Sequence, residues 1–457
     1  MFEFGRELKR LLRPAPPKDG LTGGDASLLE LLPLNLVCAE ARAADVAAGR
    51  ISAVDRPERQ LEAAVIWREI ARRTGDPVAL RKAAAIAETA AKDFDRHARP
   101  LGWARARCEQ ARAALLGAAL FGDQGLNAAA EVALKEARKA AANAPAGSIA
   151  DAALALVEAR KALGQSDRDA VLAAARAFEA PVLALQTHGR RQAVGRLLAA
   201  SASADRADLL ASSGVRLKDP MLLRMALDGL SAALSRIDPA YEPLTWAQLA
   251  TQRGAARAAL AEMDGDLTEI AGAVNDLVAV LEHVSRDHSP LDWARAQQAL
   301  AGVLQIMGEA AECDRAFAQA AGAYERAMTV FKDQPALIEG PIAMHNRAEC
   351  LIRGAELRGD LTALAQAEIA LRADLAASNP AMDPIAWGVR QLSFARLYEA
   401  RANIAGRDRV QDAATAEALA AALEVFGEHG QRTLADAAAS GLERLCTLSS
   451  RRRIHGG

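Results

Sequence analysis

Apolar residues recur along this chain at helical rather than strand spacing. Phe4, Leu8, Leu11 and Leu12 follow that spacing, and so do Ala316, Ala320, Tyr324 and Ala327, and again Leu434, Ala438, Leu442 and Leu445. Each set puts one apolar stripe on an α-helix, because residues three and four apart share a face. A longer period lies over this short one. Four of the five Trp residues stand three positions after a proline: Pro100 with Trp103, Pro243 with Trp246, Pro290 with Trp293, and Pro384 with Trp387. Their separations of 143, 47 and 94 residues are close to three, one and two copies of a 47-residue period. A period of that length marks a stacked repeat, in which each unit buries its apolar face on its neighbours.

Weaker copies fill the gaps. Pro341 precedes Met344 in the Trp slot, Pro57 and Pro145 open two more copies, and a faint one near residues 181–200 has Pro181 as its marker. The expected count is about eight units between residues 57 and 430. Each unit reads as a helical hairpin. Proline suits the first helical turn, where its missing N–H costs nothing, and Ser289 and Asp383 stand where a cap is needed. The pairs Gly75-Asp76, Gly122-Asp123, Gly265-Asp266, Gly308-Glu309 and Gly359-Asp360 are read as the turns between first and second helices.

The best copy runs through Pro290, Leu291, Asp292, Trp293, Ala294, Gln297, Leu300, Leu304, Gly308, Glu309, Ala320, Tyr324 and Ala327. These residues resemble the tetratricopeptide (TPR) repeat, in a bacterial variant with a period near 47, over about 80% of the chain. The resemblance implies an all-α fold, a right-handed superhelical solenoid of about eight TPR-like hairpins. HEAT and armadillo repeats have similar periods and are the competing architecture; the Ala–Tyr–Ala spacing and the Gly–acid turns favour the TPR-like one. In this family the first helices line a concave groove that holds a peptide or a partner helix. Counting from the Trp slot, the groove positions are Arg295, Gln298 and Gln305, then Asn346, Glu349, Arg353 and Glu356, then Arg396 and Glu399. They make a mixed-charge surface that suits a protein partner through charge complementarity. The family's clamp for a C-terminal carboxylate uses Lys and Asn where Glu349 and Leu392 stand, so that function is not implied.

Residues 1–13 form a candidate amphipathic helix, with Phe4, Leu8, Leu11 and Leu12 on one face and Arg6, Arg10 and Arg13 on another. A basic face beside Phe and Leu is what an interfacial membrane helix presents. The plainer reading is a helix that packs on the solenoid or on a partner, since so short a stretch buries little apolar area. Residues 14–24 read as a flexible linker and 25–56 as an N-terminal helical cap bent at Pro33. The array occupies 57–430, a capping helix 431–449, and a disordered tail 450–457.

Composition narrows the classes further. Hydrophobic residues make up 51% and aromatics 4%, so the apolar content is mostly alanine, a helix former and a poor strand former. Lys+Arg 56 against Asp+Glu 58 leaves no basic excess, so no nucleic-acid partner is expected. Five dispersed cysteines argue against a disulfide framework and against a Cys-rich zinc site. No signal-peptide stretch and no long apolar run are found, which gives a cytoplasmic expectation. Phosphate-binding loops, nucleophile elbows and His-Glu-x-x-His pairs are missing. His283 with His288, and His345 with Cys350, lack a third ligand at workable spacing. No cofactor or metal is expected. The leading expectation is a non-catalytic protein–protein interaction scaffold or adaptor whose protein partner the sequence does not name. The alternatives are a peripheral membrane-surface organiser docked through residues 1–13, and a helical enzyme or regulatory subunit.

Overall fold

A computed structural model of the chain describes residues 26–50, 55–142, 144–164, 167–189, 193–377, 380–381, 384–406, 409–429 and 432–455. The candidate helix with Phe4, Leu8, Leu11 and Leu12, and the linker after it, lie outside the described residues. Among the described residues the regular structure is all helix, with no strand. A short α1 (Ala26–Leu29) and α2 (Leu34–Arg50) flank Pro33. Hairpins follow as α3 (Arg56–Thr74) with α4 (Pro77–Asp93), α5 (Pro100–Phe121) with α6 (Gln124–Ala140), and α7 (Pro145–Leu163) with a broken partner, α8 (Arg168–Arg176) and α9 (Glu179–Gly189). Next come α10 (Ala193–Leu217) with α11 (Pro220–Leu234), α12 (Pro243–Asp264) with α13 (Leu267–His283), and α14 (Pro290–Ala310) with α15 (Asp314–Phe331). The last two are α16 (Glu339–Arg358) with α17 (Leu361–Ala377) and α18 (Pro384–Ala405) with α19 (Arg409–Glu428). The fold is therefore a solenoid of eight stacked hairpins among the described residues. Pro181 sits in the first turn of α9, so the faint copy begins later, at α10. The final helix, α20 (Arg432–His455), runs past residue 449. The stretch read as a disordered tail is thus helical as far as His455.

Local chemistry explains the hairpins. Asp76, Asp123, Asp167, Asp219, Asp266 and Asp360 each accept a backbone N–H two residues on, at 2.8–3.0 Å, and so cap their second helices. Gly75, Gly122, Gly265, Gly359 and Gly406 end their first helices at φ between 67° and 89°, a region that costs an L-residue energy. Gly308 departs from the expected turn. It stays inside α14, and Glu312 (φ 47°) takes the left-handed position instead. Gly308 serves packing: a Cβ there would lie 2.9 Å from the Phe317 ring.

The helices group into two compact units. The first takes in Met1–Leu300 with Val330–Ile338, and the second takes in Ala301–Thr329 with Glu339–Gly457. The main core of the first unit packs small against large: Ala104, Ala111, Ala150 and Ala207 meet Leu115, Leu134, Phe178 and Leu209. Trp103 and Trp246 flank that core half-buried, and Trp246 and Trp293 flank a second cluster around Leu244 and Val280. The periodic Trp is a packing anchor among alanines. The second unit packs Ile352, Leu364, Phe394 and Leu397 in one cluster and Ala422, Phe426 and Ala438 in another.

Candidate functional site

In the first unit the first helices stand side by side, with α3 on α5, α5 on α7, α7 on α10 and α10 on α12. The turn after α1 brings distant parts of this row together. The Glu30 carboxylate accepts the N–H groups of Leu244 (3.1 Å) and Thr245 (3.0 Å), and also the Thr245 hydroxyl, so it caps α12 from 214 residues away. The Glu30 carbonyl meets His288 Nε2 at 2.6 Å. Arg73, with no exposed side-chain surface, donates to the carbonyls of Leu29 (2.5 Å) and Leu32 (2.8 Å) and pairs with Glu69 at 2.7 Å. Arg72 pairs with Glu69 (2.9 Å) and with Asp292 (2.8 Å) at the start of α14. Helix α3 is thereby fastened to the beginnings of α12 and α14, and the row of first helices curves back on itself.

Charged side chains line this row of first helices. Arg68 on α3 pairs with Glu109 on α5, which also accepts from Arg112 at 3.2 Å. Arg160 on α7 donates to the Leu115 carbonyl at 3.1 Å and to Asn127 at 2.5 Å. Asp205 and Asp208 follow on α10, one turn apart. Neither makes an ion pair among the described residues, although Arg160 acts on both through space and Arg112 acts on Asp205. Asp205 is part-exposed and yet surrounded by protein. Burial, reinforced by Asp208 and opposed by Arg160 and Arg112, pushes its carboxyl up to about 7. Burial also raises Asp208, against a hydrogen bond from Ser212. Arg112 is pushed down to about 10 by burial and by Arg68, against Glu109. A carboxyl that touches water and is still raised to about 7 is poorly solvated by that water.

The groove positions read from the sequence fall in both units. Arg295 and Gln298 belong to the first, and the Gln298 side-chain oxygen is buried without a hydrogen-bond partner. Gln305, Asn346, Glu349, Arg353, Glu356, Arg396 and Glu399 belong to the second. There Arg353 grips Glu309 through two nitrogens (3.0 and 2.9 Å) and Glu356 at 2.6 Å. Glu356 also accepts from Arg396, and from Asn403 at 2.8 Å. Gln305 and Asn346 both hydrogen-bond the Tyr324 hydroxyl. Glu349 acts through space on His345, whose ring meets Ser393 Oγ at 3.1 Å and is lowered chiefly by burial. Glu399 stands half-buried on α18. Arg353, Glu356 and Arg396 therefore spend their charge on one another. Among the described residues no group of three or more His, Cys, Asp and Glu side chains is placed to hold a metal ion, and no helix is long and apolar enough to cross a membrane.

Sequence reasoning missed the first-unit wall. Asp205 and Asp208 lie in the most degenerate repeat, where no Trp sets the count. Their signal was nevertheless present, as two acids at i and i+3 within a run of alanines and serines.

By its fold the chain is a helical-repeat protein. No protein-family model matches it, and no curated protein matches its sequence. Solved structures similar to it include a Rap protein complexed with competence and sporulation factor, at 12% identity and TM-score 0.46 over 87% of this chain and 99% of that one. A monomeric IFIT1 mutant with Gppp-AAAA is similar at 12% identity and TM-score 0.43, over 92% and 94%. A circular tandem repeat protein is similar at 13% identity and TM-score 0.26, over 94% and 100%.

Proposed function

We propose that the chain is a non-catalytic protein–protein interaction scaffold of TPR-like hairpins, and that the first-helix wall of its first unit holds a partner segment bearing a Lys or Arg against Asp205 and Asp208. One observation carries this reading: two carboxylates one helical turn apart, Asp205 part-exposed and Asp208 exposed, without an ion pair among the described residues, the first of them raised to about 7. A partner cation offers such a pair the charge its surroundings withhold, and Arg112 and Arg160 beside it favour a segment that also carries an acid. The second-unit wall suits this role less, because Arg353, Glu356 and Arg396 are already paired with one another and with Glu309.

A random peptide library displayed on phage and selected on the immobilised full chain tests the proposal. The expected result is enrichment of peptides with a basic residue, whose binding is lost with Asp205→Lys and weakens as pH falls below about 7, where Asp205 takes up its proton. Enriched peptides that bind Asp205→Lys unchanged would refute it.

A further inference from the structure

The second helix of the α7 hairpin is broken between α8 and α9, with Phe178 fully buried at the break. The break opens a cleft of about 260 Å³ between α9, α10 and α11. Its two ends differ in chemistry. At the polar end Arg206 on α10 donates through Nε to the Ala175 carbonyl at 3.1 Å, and its Nη2 stands 3.8 Å from the Glu179 carboxylate, beyond hydrogen-bond reach. Neither side chain has another ion pair among the described residues, and both meet water, with 23% and 64% of their side chains exposed. Gly229 on α11 leaves the guanidinium uncovered, since a Cβ there would already lie 3.4 Å from Arg206 Nη1. One helical turn along from Glu179 and Gly229 stand Val182, Leu183 and Met225, which make the apolar end, and Leu183 is 66% exposed there.

We propose that this cleft binds a free apolar α-amino acid of leucine or methionine size, with its carboxylate on Arg206, its ammonium on Glu179 and its side chain against Leu183 and Met225. Charge is the first support. An α-amino acid carries its ammonium and its carboxylate about 3 Å apart, close to the gap between Glu179 and Arg206. Laid antiparallel along that gap, it gives each residue the opposite charge at hydrogen-bond distance. Size is the second. The cleft holds roughly nine waters by volume, about the bulk of one leucine. The apolar end begins one turn, about 5.4 Å, from the charged pair, a step that a leucine or methionine side chain bridges and an alanine does not. A longer chain fits the pair less well, because a peptide terminus carries only one of the two charges. Arg206 faces α9 and α11, whereas Asp205 beside it answers to Arg112 and Arg160 on α5 and α7, so this site stands independently of the one proposed for a partner segment.

Equilibrium dialysis of the full chain against radiolabelled leucine tests the proposal, with unlabelled amino acids as competitors. Leucine should be retained at millimolar concentration and displaced by leucine and methionine. Glycine, N-acetylleucine and leucinamide, which lack the side chain, the ammonium and the carboxylate in turn, should each need roughly tenfold more or higher. Arg206→Gln and Leu183→Ser should each weaken retention roughly tenfold or more. Arg206 also holds the Ala175 carbonyl, so Leu183→Ser, at a position already mostly in water, is the variant that leaves the fold intact. No retention of leucine at millimolar concentration overturns the proposal. Displacement by N-acetylleucine or leucinamide as effective as by leucine overturns it in favour of a peptide terminus. Retention that Leu183→Ser leaves unchanged puts the leucine elsewhere and overturns it too.

Discussion

Replacing Asp205 by Asn asks whether the first-unit wall truly strands a charge. Folding lifts this carboxyl from an ordinary 3.8 to about 7, so the native state holds the proton more tightly than the unfolded chain does. Below about pH 4 the group is protonated in both states and costs nothing. Between about pH 4 and 7 only the unfolded chain ionises, and stability falls as pH rises. Above about 7 the cost stays at its full value. Roughly three pH units at about 1.4 kcal/mol each give about 4 kcal/mol, and the solvent that reaches one side of Asp205 trims this to about 2 kcal/mol. Asp205→Asn removes the cost, so the variant should gain about 2–4 kcal/mol over the natural chain at pH 8 and nothing at pH 4. Urea unfolding followed by tryptophan fluorescence suits the measurement, because Trp67, Trp103, Trp246 and Trp293 all belong to the first unit. The difference between the two chains cancels titrations they share, such as that of Glu30, which burial also raises. A flat difference across this pH range would show that Asp205 is solvated like a surface acid and would remove the observation on which the binding site rests.

The other predictions concern the fold around that wall. Arg73→Ala leaves Glu69 and two backbone carbonyls short of a buried partner and should cost about 3–5 kcal/mol, with faster amide exchange in α2 as the local signature; stability within 1 kcal/mol of the natural chain would contradict the clasp. Gly308→Ala meets the Phe317 ring and should cost about 1–3 kcal/mol in thermal unfolding. Gly265→Ala has open space around its Cβ but a φ of 71°, so its cost of about 1–2 kcal/mol is backbone strain, and Gly265→Asn should recover part of it. Arg353→Ala should cost no more than about 1 kcal/mol and should lose its effect in molar salt, because its ion pairs are part-exposed.

What could be read from the sequence was whatever repeats. Proline and tryptophan at the start of a first helix, and glycine followed by aspartate at its end, act within a few residues, so their spacing carries the hairpins without any tertiary information. Gly308 shows the limit of that logic. It occupies the slot of a turn glycine, yet Phe317 on the facing helix has taken it for packing, and the chain turns at Glu312 instead. Identity at a repeat position does not tell which of two uses a small residue serves.

The site was hidden for a different reason. Glu30, Arg73, Thr245, His288 and Asp292 join parts of the chain that are 214 residues or more apart in the bonds from Glu30, and no local pattern encodes such a meeting. Counting along a single repeat also treats every polar groove position as equally open. In the second unit, however, a neighbouring repeat supplies Glu309 or Arg396 to neutralise the charges at Arg353 and Glu356. Whether a charge is available to a partner depends on the repeats beside it and on whether the wall is enclosed. In the first unit the degenerate repeat on α10 carries two acids, Asp205 and Asp208, that have no ion pair among the described residues. The clasp holds the row of first helices on which they stand: loosening it with Arg73→Ala should admit water, lower the Asp205 pKa toward 4, and make peptide binding insensitive to pH between 6 and 8. A pH dependence that survives Arg73→Ala would mean that the enclosure is made elsewhere.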